Sequence, residues 1–292
     1  MELITPQWIY ANRHISICKI TSNNMNTIKL NNGVEVPLLG LDCSHLQRTD
    51  VPLMAEAFKC GFRLLNIFQN SEAEEAIADG MTLSGISRSS LFLSVRICPK
   101  KDENIRGLIM SSLRNLQTNY LDIVLLDSFS ENVITEWGFL EELFDEGKIR
   151  SIGVVNYKSD QLERLLQQCK VEPVVNLLRF NLLSPHNDIK DWMRQHGIQC
   201  VCSTPFGYGG YVDLFEDEQL RYIGSRYNKT SYQVVLRFWI QDNIMVFPKI
   251  LYVEDLKDYM DSSNLMLEEN DMEILRNFSL IKNKKVCPRY RL

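Results

Sequence analysis

The chain has 292 residues, of which 45% are hydrophobic and 24% are charged, as is typical of a globular domain in water. A formal net charge of -5 provides no electrostatic attraction to nucleic acid. No apolar run reaches the roughly 20 residues that a membrane-spanning helix needs. We therefore expect no nucleic acid partner and no membrane partner. The 8 cysteines are scattered without a C-x-x-C pair, which indicates reduced thiols and a cytoplasmic protein.

The first predicted element is a β-hairpin. Asn31, Asn32 and Gly33 form a turn sequence between two short strand-like runs, 27–30 and 34–36. We expect this hairpin to plug one end of the domain that follows it. Residues 1–24 precede the pattern and are interpreted as an N-terminal extension to a single domain of residues 25–292.

Short apolar runs then alternate with amphipathic helical segments. Helical spacing of apolar residues is clear between Ile105 and Leu116 and between Tyr232 and Ile240. Roughly eight such units favour an α/β protein with a closed (β/α)8 TIM barrel, and no Gly-x-Gly-x-x-Gly follows any strand to suggest an open dinucleotide-binding sheet. The runs that predict buried strands are 91–95, 123–126, 149–155, 174–178 and 245–247.

Several segments resemble the aldo-keto reductases in order and in spacing. The resemblance extends from residue 25 to about Phe278, and it implies a (β/α)8 barrel with its site at the carboxyl ends of the strands. The segments that carry it are 25–41, Gly61-Phe62-Arg63, Tyr120-Leu121-Asp122, 146–157 and Phe247-Pro248-Lys249.

The same resemblance locates four catalytic positions, and each holds a different residue here. Asn66 stands at the family's Asp position, Ser71 at its Tyr, Arg96 at its Lys and Asp127 at its His. In the family the Tyr supplies a proton to the alkoxide, the Lys–Asp pair lowers the pKa of that phenol, and the His orients the carbonyl. A serine hydroxyl is far less acidic, and an arginine does not give up a proton near neutral pH.

The positions that hold the nicotinamide dinucleotide in the family are also changed. Asn156 and Lys249 are the two residues that match, as weak remnants of the cofactor site. Elsewhere the carboxamide, the ring-stacking and the adenosine-phosphate positions differ. The altered positions are Val155, Leu177, Ser203, Ile250, Asp255 and Tyr259.

Two interpretations of the polar strand ends stay open. Arg96 and Asp127 could form a new polar site, or an ion pair that fills the barrel mouth and helps to exclude nicotinamide. Cys43, Cys98 and Cys202 also map near strand ends and could be imagined with Asp127 as a metal site. Their spacing matches no known ligand pattern, so we expect packed thiols and no metal.

The sequence therefore predicts a non-catalytic, aldo-keto-reductase-like barrel, a pseudoenzyme with a binding or regulatory role. Its partner would be an unknown protein or a small-molecule ligand, and no cofactor is expected. The alternative is an NADPH-dependent oxidoreductase that reduces aldehydes or ketones, weakly or with altered chemistry. The Gly-rich segment 207–211 and the basic tail 282–292 are interpreted as a loop and a solvated end.

Overall fold

The computed structural model describes residues 26–69, 71–100, 103–128, 130, 132–207, 214, 216–250 and 252–282. The predicted extension 1–24, most of the Gly-rich segment 207–211 and the tail beyond Lys282 lie outside these residues.

Strands β3 to β10 form one parallel sheet in which each strand pairs with the next along the chain. Two parallel bridges, Leu39 with Val246 and Asp42 with Lys249, join the two ends of this sheet. The predicted (β/α)8 barrel is thus confirmed. The strands are β1 (Thr27–Lys29), β2 (Glu35–Pro37), β3 (Leu41–Asp42), β4 (Leu64–Phe68), β5 (Phe92–Ile97), β6 (Ile123–Leu126), β7 (Ile152–Val155), β8 (Val175–Leu178), β9 (Gln199–Cys202) and β10 (Met245–Val246).

Helices surround the sheet and bury their apolar stripes against it. Strands β6, β7 and β8 are buried along their whole length, because side chains on one face fill the barrel and those on the other face meet the helices. The helices are α1 (Val51–Lys59), α2 (Ser71–Ser84), α3 (Ile105–Asn115), α4 (Val133–Asp145), α5 (Ser159–Leu166), α6 (Asn187–Gln195), α7 (Glu218–Arg226), α8 (Ser231–Gln241), α9 (Val253–Asp261), α10 (Glu269–Arg276) and α11 (Phe278–Lys282). Within the described ranges, no helix is long and apolar enough to cross a membrane.

The hairpin β1–β2 lies at the N-terminal end of the barrel strands, as the sequence predicts. The Nδ2 group of Asn31 donates a hydrogen bond to the carbonyl of Pro173, at 3.2 Å, and that of Asn32 donates to the hydroxyl of Ser151, at 2.9 Å. Ser151 directly precedes β7, and Pro173 lies two residues before β8. The hairpin turn therefore docks where these strands begin, which leaves the opposite end of the barrel as the mouth.

Candidate active site

The carboxyl ends of β4 to β7 carry the polar residues that the sequence singled out. Asn66 lies within β4 and Arg96 within β5, while Asp127 directly follows β6 and Asn156 directly follows β7. Because parallel strands end on the same side of a barrel, these residues share the mouth. Ser71 is the first residue of α2, and its side chain lies outside what the structure describes.

Arg96 and Asp127 form an ion pair across the ends of β5 and β6. The Nε group of Arg96 donates to Oδ2 of Asp127 at 3.0 Å, and the Nη2 group donates to the same oxygen. The two side chains retain 18% and 21% of their exposure, so the pair is only partly shielded from water. The Arg96 guanidinium carbon also lies 5.3 Å from the ring centroid of Phe68. The carboxylate and the ring together hold the guanidinium in one place.

This arrangement leaves hydrogen-bond donors of Arg96 available. An arginine has five N–H groups, and only those on Nε and Nη2 have a carboxylate partner. Within the described residues, Nη1 of Arg96 has no hydrogen-bond partner. The structure therefore presents a fixed cation with free donors at the mouth.

Asn66 does not take part in this pair. Its side chain is 3% exposed, and no described residue donates a hydrogen bond to its Oδ1 atom. Arg96 and Asp127 therefore neutralise each other at the mouth, as the sequence suggested. Asn66 is a buried amide whose oxygen accepts no hydrogen bond from a described residue.

Asn156 occupies a strained turn at the end of β7. Its φ of 57° lies in the left-handed region, which asparagine tolerates better than most residues. Its Oδ1 atom accepts the backbone N–H of Arg179 at 3.3 Å, while its Nδ2 group has no partner among the described residues. Next to it, the Tyr157 hydroxyl donates to the carbonyl of Ser128. The amide of Asn156 is therefore positioned with its two donors open.

Cys98 is exposed just beyond the end of β5, two residues from Arg96. Partial burial and then the charge of Asp127 raise the pKa of its thiol, and Arg96 opposes them. Cys43 and Cys202, by contrast, are buried. No group of three His, Cys, Asp or Glu side chains in the described ranges is placed to hold a metal ion.

Lys249 follows β10 and is exposed, with no ion-pair partner in the part of the chain that the structure describes. Its carbonyl accepts the Tyr259 hydroxyl at 3.2 Å. Asp255, in the first turn of α9, accepts the backbone N–H of Tyr252 at 3.1 Å. Ser203 donates its hydroxyl to the carbonyl of Leu178 at 3.0 Å. The ammonium group of Lys249 is thus accessible to a ligand. The side chains of Tyr259, Asp255 and Ser203 make hydrogen bonds to the backbone of the barrel.

Sequence reasoning missed His45. Its Nε2 atom contacts the carbonyl of Ile250, and its buried Nδ1 atom has no partner among the described residues. Burial, followed by the nearby charge of Lys249, lowers the pKa of His45, so the ring is neutral at physiological pH. Its position soon after β3 was the available signal, because the loop after a barrel strand lies at the mouth.

A nicotinamide dinucleotide fits the open groups at this end of the barrel. The Nδ2 group of Asn156 supplies donors that have no partner among the described residues, and Lys249 supplies an exposed positive charge. These are groups that a carboxamide and a pyrophosphate require. Asn156 and Lys249, the weak remnants that the sequence analysis named, would hold the cofactor, and this assignment stays a prediction.

Comparison with known proteins identifies the scaffold. The model of the Aldo/keto reductase family matches residues 45–279. The chain is 29% identical over 272 residues to a glyoxal reductase of Bacillus subtilis, an alignment that covers 90% of this chain and 95% of that protein. It is 26% identical over 253 residues to the methylglyoxal reductase DkgA of Escherichia coli, covering 85% and 92%.

Solved structures agree with these relatives. An aldo-keto reductase enzyme from a Medee basin deep-sea metagenome library superimposes with a TM-score of 0.82 at 26% identity, covering 90% of this chain and 98% of that chain. The aldo/keto reductase from Brucella melitensis gives a TM-score of 0.79 at 26% identity, covering 87% and 99%.

The prediction of a non-catalytic barrel with a binding or regulatory role is wrong. The curated relatives that cover nearly the whole chain are named as reductases, which favours the alternative of an oxidoreductase. The expectations of no enzyme activity and of no cofactor lose their support for the same reason. The physical error was to count Arg96 and Asp127 as losses, although together they form an ordered polar centre at the mouth.

Proposed function

The chain belongs to the aldo/keto reductase family, and we propose that it is an oxidoreductase that reduces aldehydes or ketones with altered chemistry. The electron source is a reduced nicotinamide dinucleotide, NADPH being the form that the resemblance implies. When bound, the dinucleotide supplies a hydride. The observation that carries the proposal is the Arg96–Asp127 pair, which leaves a fixed cation with free N–H donors at the mouth of a reductase barrel.

Arg96 polarises the substrate carbonyl. Negative charge develops on the carbonyl oxygen during reduction, and a preorganised cation at that point stabilises the transition state. Asp127 is a positioning residue, because it holds Nε and Nη2 and leaves the Nη1 side of the guanidinium for substrate. Because Asp127 is paired with Arg96, it repels a developing alkoxide less than an isolated carboxylate would.

The alkoxide needs a proton, and an arginine does not provide one near neutral pH. Cys98, which lies just beyond the end of β5 and two residues from Arg96, is our candidate donor. Its exposed thiol stays protonated at neutral pH because partial burial and Asp127 raise its pKa. We propose that this thiol donates the proton to the alkoxide. The Cys98→Ala variant should then lose about 100-fold in kcat while binding substrate normally, since general acids contribute at least that much.

The substrate class follows from the shape of the guanidinium. Its parallel N–H groups suit two neighbouring oxygen atoms, as in a 1,2-dicarbonyl compound. Glyoxal and methylglyoxal have this arrangement, and two of the relatives are named for reducing them. We propose small 2-oxoaldehydes as the preferred substrates over simple aldehydes.

The test is turnover by purified protein with glyoxal, methylglyoxal and a simple aldehyde, each with NADPH and with NADH. Arg96→Met should lower kcat/KM by about 100- to 1000-fold, as does removal of an oxyanion-stabilising donor. Arg164→Met, at an exposed position near the end of α5, is the matched control and should behave like the wild type. Absence of turnover in the wild type, or equal turnover in Arg96→Met, would refute the proposal.

A further inference from the structure

Two adjoining cavities lie at the N-terminal end of the barrel, opposite to the mouth. Their volumes are about 580 and 260 Å³. The larger is bounded by Ile28 of the hairpin and by the start of β9, and the smaller opens between α6 and α8. Both are lined by Lys190, Arg194, Asp242 and Arg276. Cavities of this size are large enough for a small-molecule ligand.

Lys190 is a buried cation without an anion. Its side chain is 9% exposed, and its Nζ atom lies 5.0 Å from the Trp239 ring and 5.4 Å from the Phe180 ring. Among the described residues, no carboxylate lies within ion-pair distance of this atom. Burial lowers the pKa of Lys190, and nearby groups such as Cys200 and Asp242 oppose the shift. Two aromatic faces offset only part of the cost of burying a charge.

Trp239 forms part of the wall of the smaller cavity beside Lys190. The indole is fully buried and lines the smaller cavity, and no described residue accepts a hydrogen bond from its Nε1 atom. Buried indole N–H groups normally have a partner. Nζ of Lys190 lies over this indole ring and has no acceptor among the described residues, so a ligand that carries negative charge would compensate it.

The outer part of the cavities is also cationic. Arg194 pairs with Asp191 at 3.0 Å, where both side chains are mostly exposed. Arg276 is 2.5 Å from Glu269 and 3.5 Å from Asp242. Exposed pairs of this kind are weak and exchange partners easily. Both guanidiniums can therefore turn towards a ligand that enters between them.

We propose that these cavities bind a small organic oxyanion, a phosphate ester or a dicarboxylate. One anionic group contacts Nζ of Lys190 beside the Trp239 ring, and the outer part of the molecule lies between Arg194 and Arg276. The site is at the opposite end of the barrel from the proposed reductase centre. It does not depend on the proposed function.

The experiment measures binding to the full chain rather than turnover. Inorganic phosphate, glycerol phosphate and succinate are added at matched ionic strength, with chloride as the reference salt. At saturating concentration, at least one probe should raise the thermal midpoint by roughly 3 to 6 °C over chloride, because it binds only the folded state. Titration calorimetry then gives the stoichiometry, which should be one molecule per chain.

Lys190→Met is the decisive variant. It removes a buried unpaired charge, so the free protein should unfold at the same or a higher temperature, and the response to the probe should disappear. Lys170→Met, which removes an exposed lysine, should keep the full response. Should Lys190→Met fail to fold, Arg194→Ala at the exposed rim decides instead, with an expected loss of about tenfold in affinity. No probe effect beyond chloride, or an undiminished response in the variant that folds, would overturn the proposal.

Discussion

At the barrel mouth, the arginine at position 96 and the aspartate at position 127 are best understood together, because the two side chains form an ion pair. Arg96 alone would be a partly buried charge, and Asp127 alone would be a partly buried carboxylate. In contact, each neutralises the other and fixes its geometry. The pair thus forms an ordered, charge-balanced centre at the barrel mouth.

The stability of the pair is testable. Asp127→Ala leaves Arg96 without its partner, and we expect a loss of about 1 to 3 kcal/mol, between the values for exposed and for buried pairs. The double variant Arg96→Met with Asp127→Leu should lose less than Asp127→Ala. Urea denaturation of both variants and of Arg96→Met measures the difference. The exposed pair of Arg106 and Glu146 is the control, where Glu146→Ala should change little. Strictly additive losses at the mouth would contradict the coupling.

Residue by residue, the sequence located this site better than it interpreted it. Arg96 and Asp127 could be placed because strand ends in a parallel barrel share one face. The open Nδ2 group of Asn156 and the position of His45 depend on side-chain directions in loops, which periodicity does not encode. The isolation of Asn66 within β4 depends on which side chains pack around it. The assignment of Ser71 to the family's Tyr position stays a prediction.

Helix α9 begins where the resemblance places the adenosine phosphate. Its first turn carries Glu254 and Asp255, and Asp255 caps the backbone N–H of Tyr252. A carboxylate there repels a phosphate but accepts a hydrogen bond from a ribose hydroxyl. A dinucleotide bound there, as we propose, would meet a negative charge that disfavours the extra phosphate of NADPH relative to NADH.

We expect Asp255→Arg to tighten NADPH binding about tenfold relative to NADH, because it replaces a repulsive charge by an attractive one that water partly screens. Fluorescence titration with each dinucleotide measures this without turnover. Asp255→Asn keeps a capping oxygen and should give a smaller change in the same direction. An equal gain for both dinucleotides would show that Asp255 does not face the 2′-phosphate.

Helices α2 and α3 meet around a buried carboxylate. Glu74 is 0% exposed, accepts the Nδ2 group of Asn115 at 2.8 Å, and has no described partner for Oε1. Burial raises its pKa from the ordinary value of 4.5, while the neighbouring polar groups of Ser112 and Asn115 oppose the shift. The folded protein therefore holds this proton more tightly than the unfolded chain does.

The sign of the pH dependence follows. The contribution of Glu74 to stability is complete below pH 4.5 and is lost as the pH rises through the elevated pKa of the folded state. We expect Glu74→Gln to remove this loss and to be more stable than the wild type at neutral pH. Urea midpoints at pH 5 and pH 8 measure the effect. Glu163→Gln, an exposed substitution on α5, should leave the difference between the two pH values as in the wild type.

At the scale of the whole molecule, the two ends of the barrel carry different side chains and different cavities. The mouth carries the Arg96–Asp127 pair, and the other end carries the hairpin and the cationic cavities around Lys190. The alternation of buried runs and amphipathic stripes predicted this architecture, because a parallel sheet covered on both faces leaves that pattern. The pattern could not show which residues bring the first and last strands together.

Barrel closure depends on Gly40. It lies just before β3, and its N–H donates to the carbonyl of Val246 at 3.0 Å. A Cβ atom at this position would lie 2.5 Å from Cε1 of Phe247 and 2.8 Å from the carbonyl oxygen of Leu64. The ring and the backbone oxygen both belong to packed parts of the barrel, so neither can move freely.

Gly40→Ala should therefore destabilise the whole barrel, by about 1 to 3 kcal/mol, as overpacking does. Gly138→Ala is its matched control, because a Cβ at this position within α4 meets nothing within 4 Å. That substitution should stabilise the protein by about 0.5 to 1 kcal/mol, since alanine loses less backbone freedom in a helix than glycine. Urea denaturation followed by circular dichroism compares the two. The two substitutions should change the free energy of unfolding in opposite directions. This result requires that the lack of space at Gly40 outweighs the backbone preference of alanine.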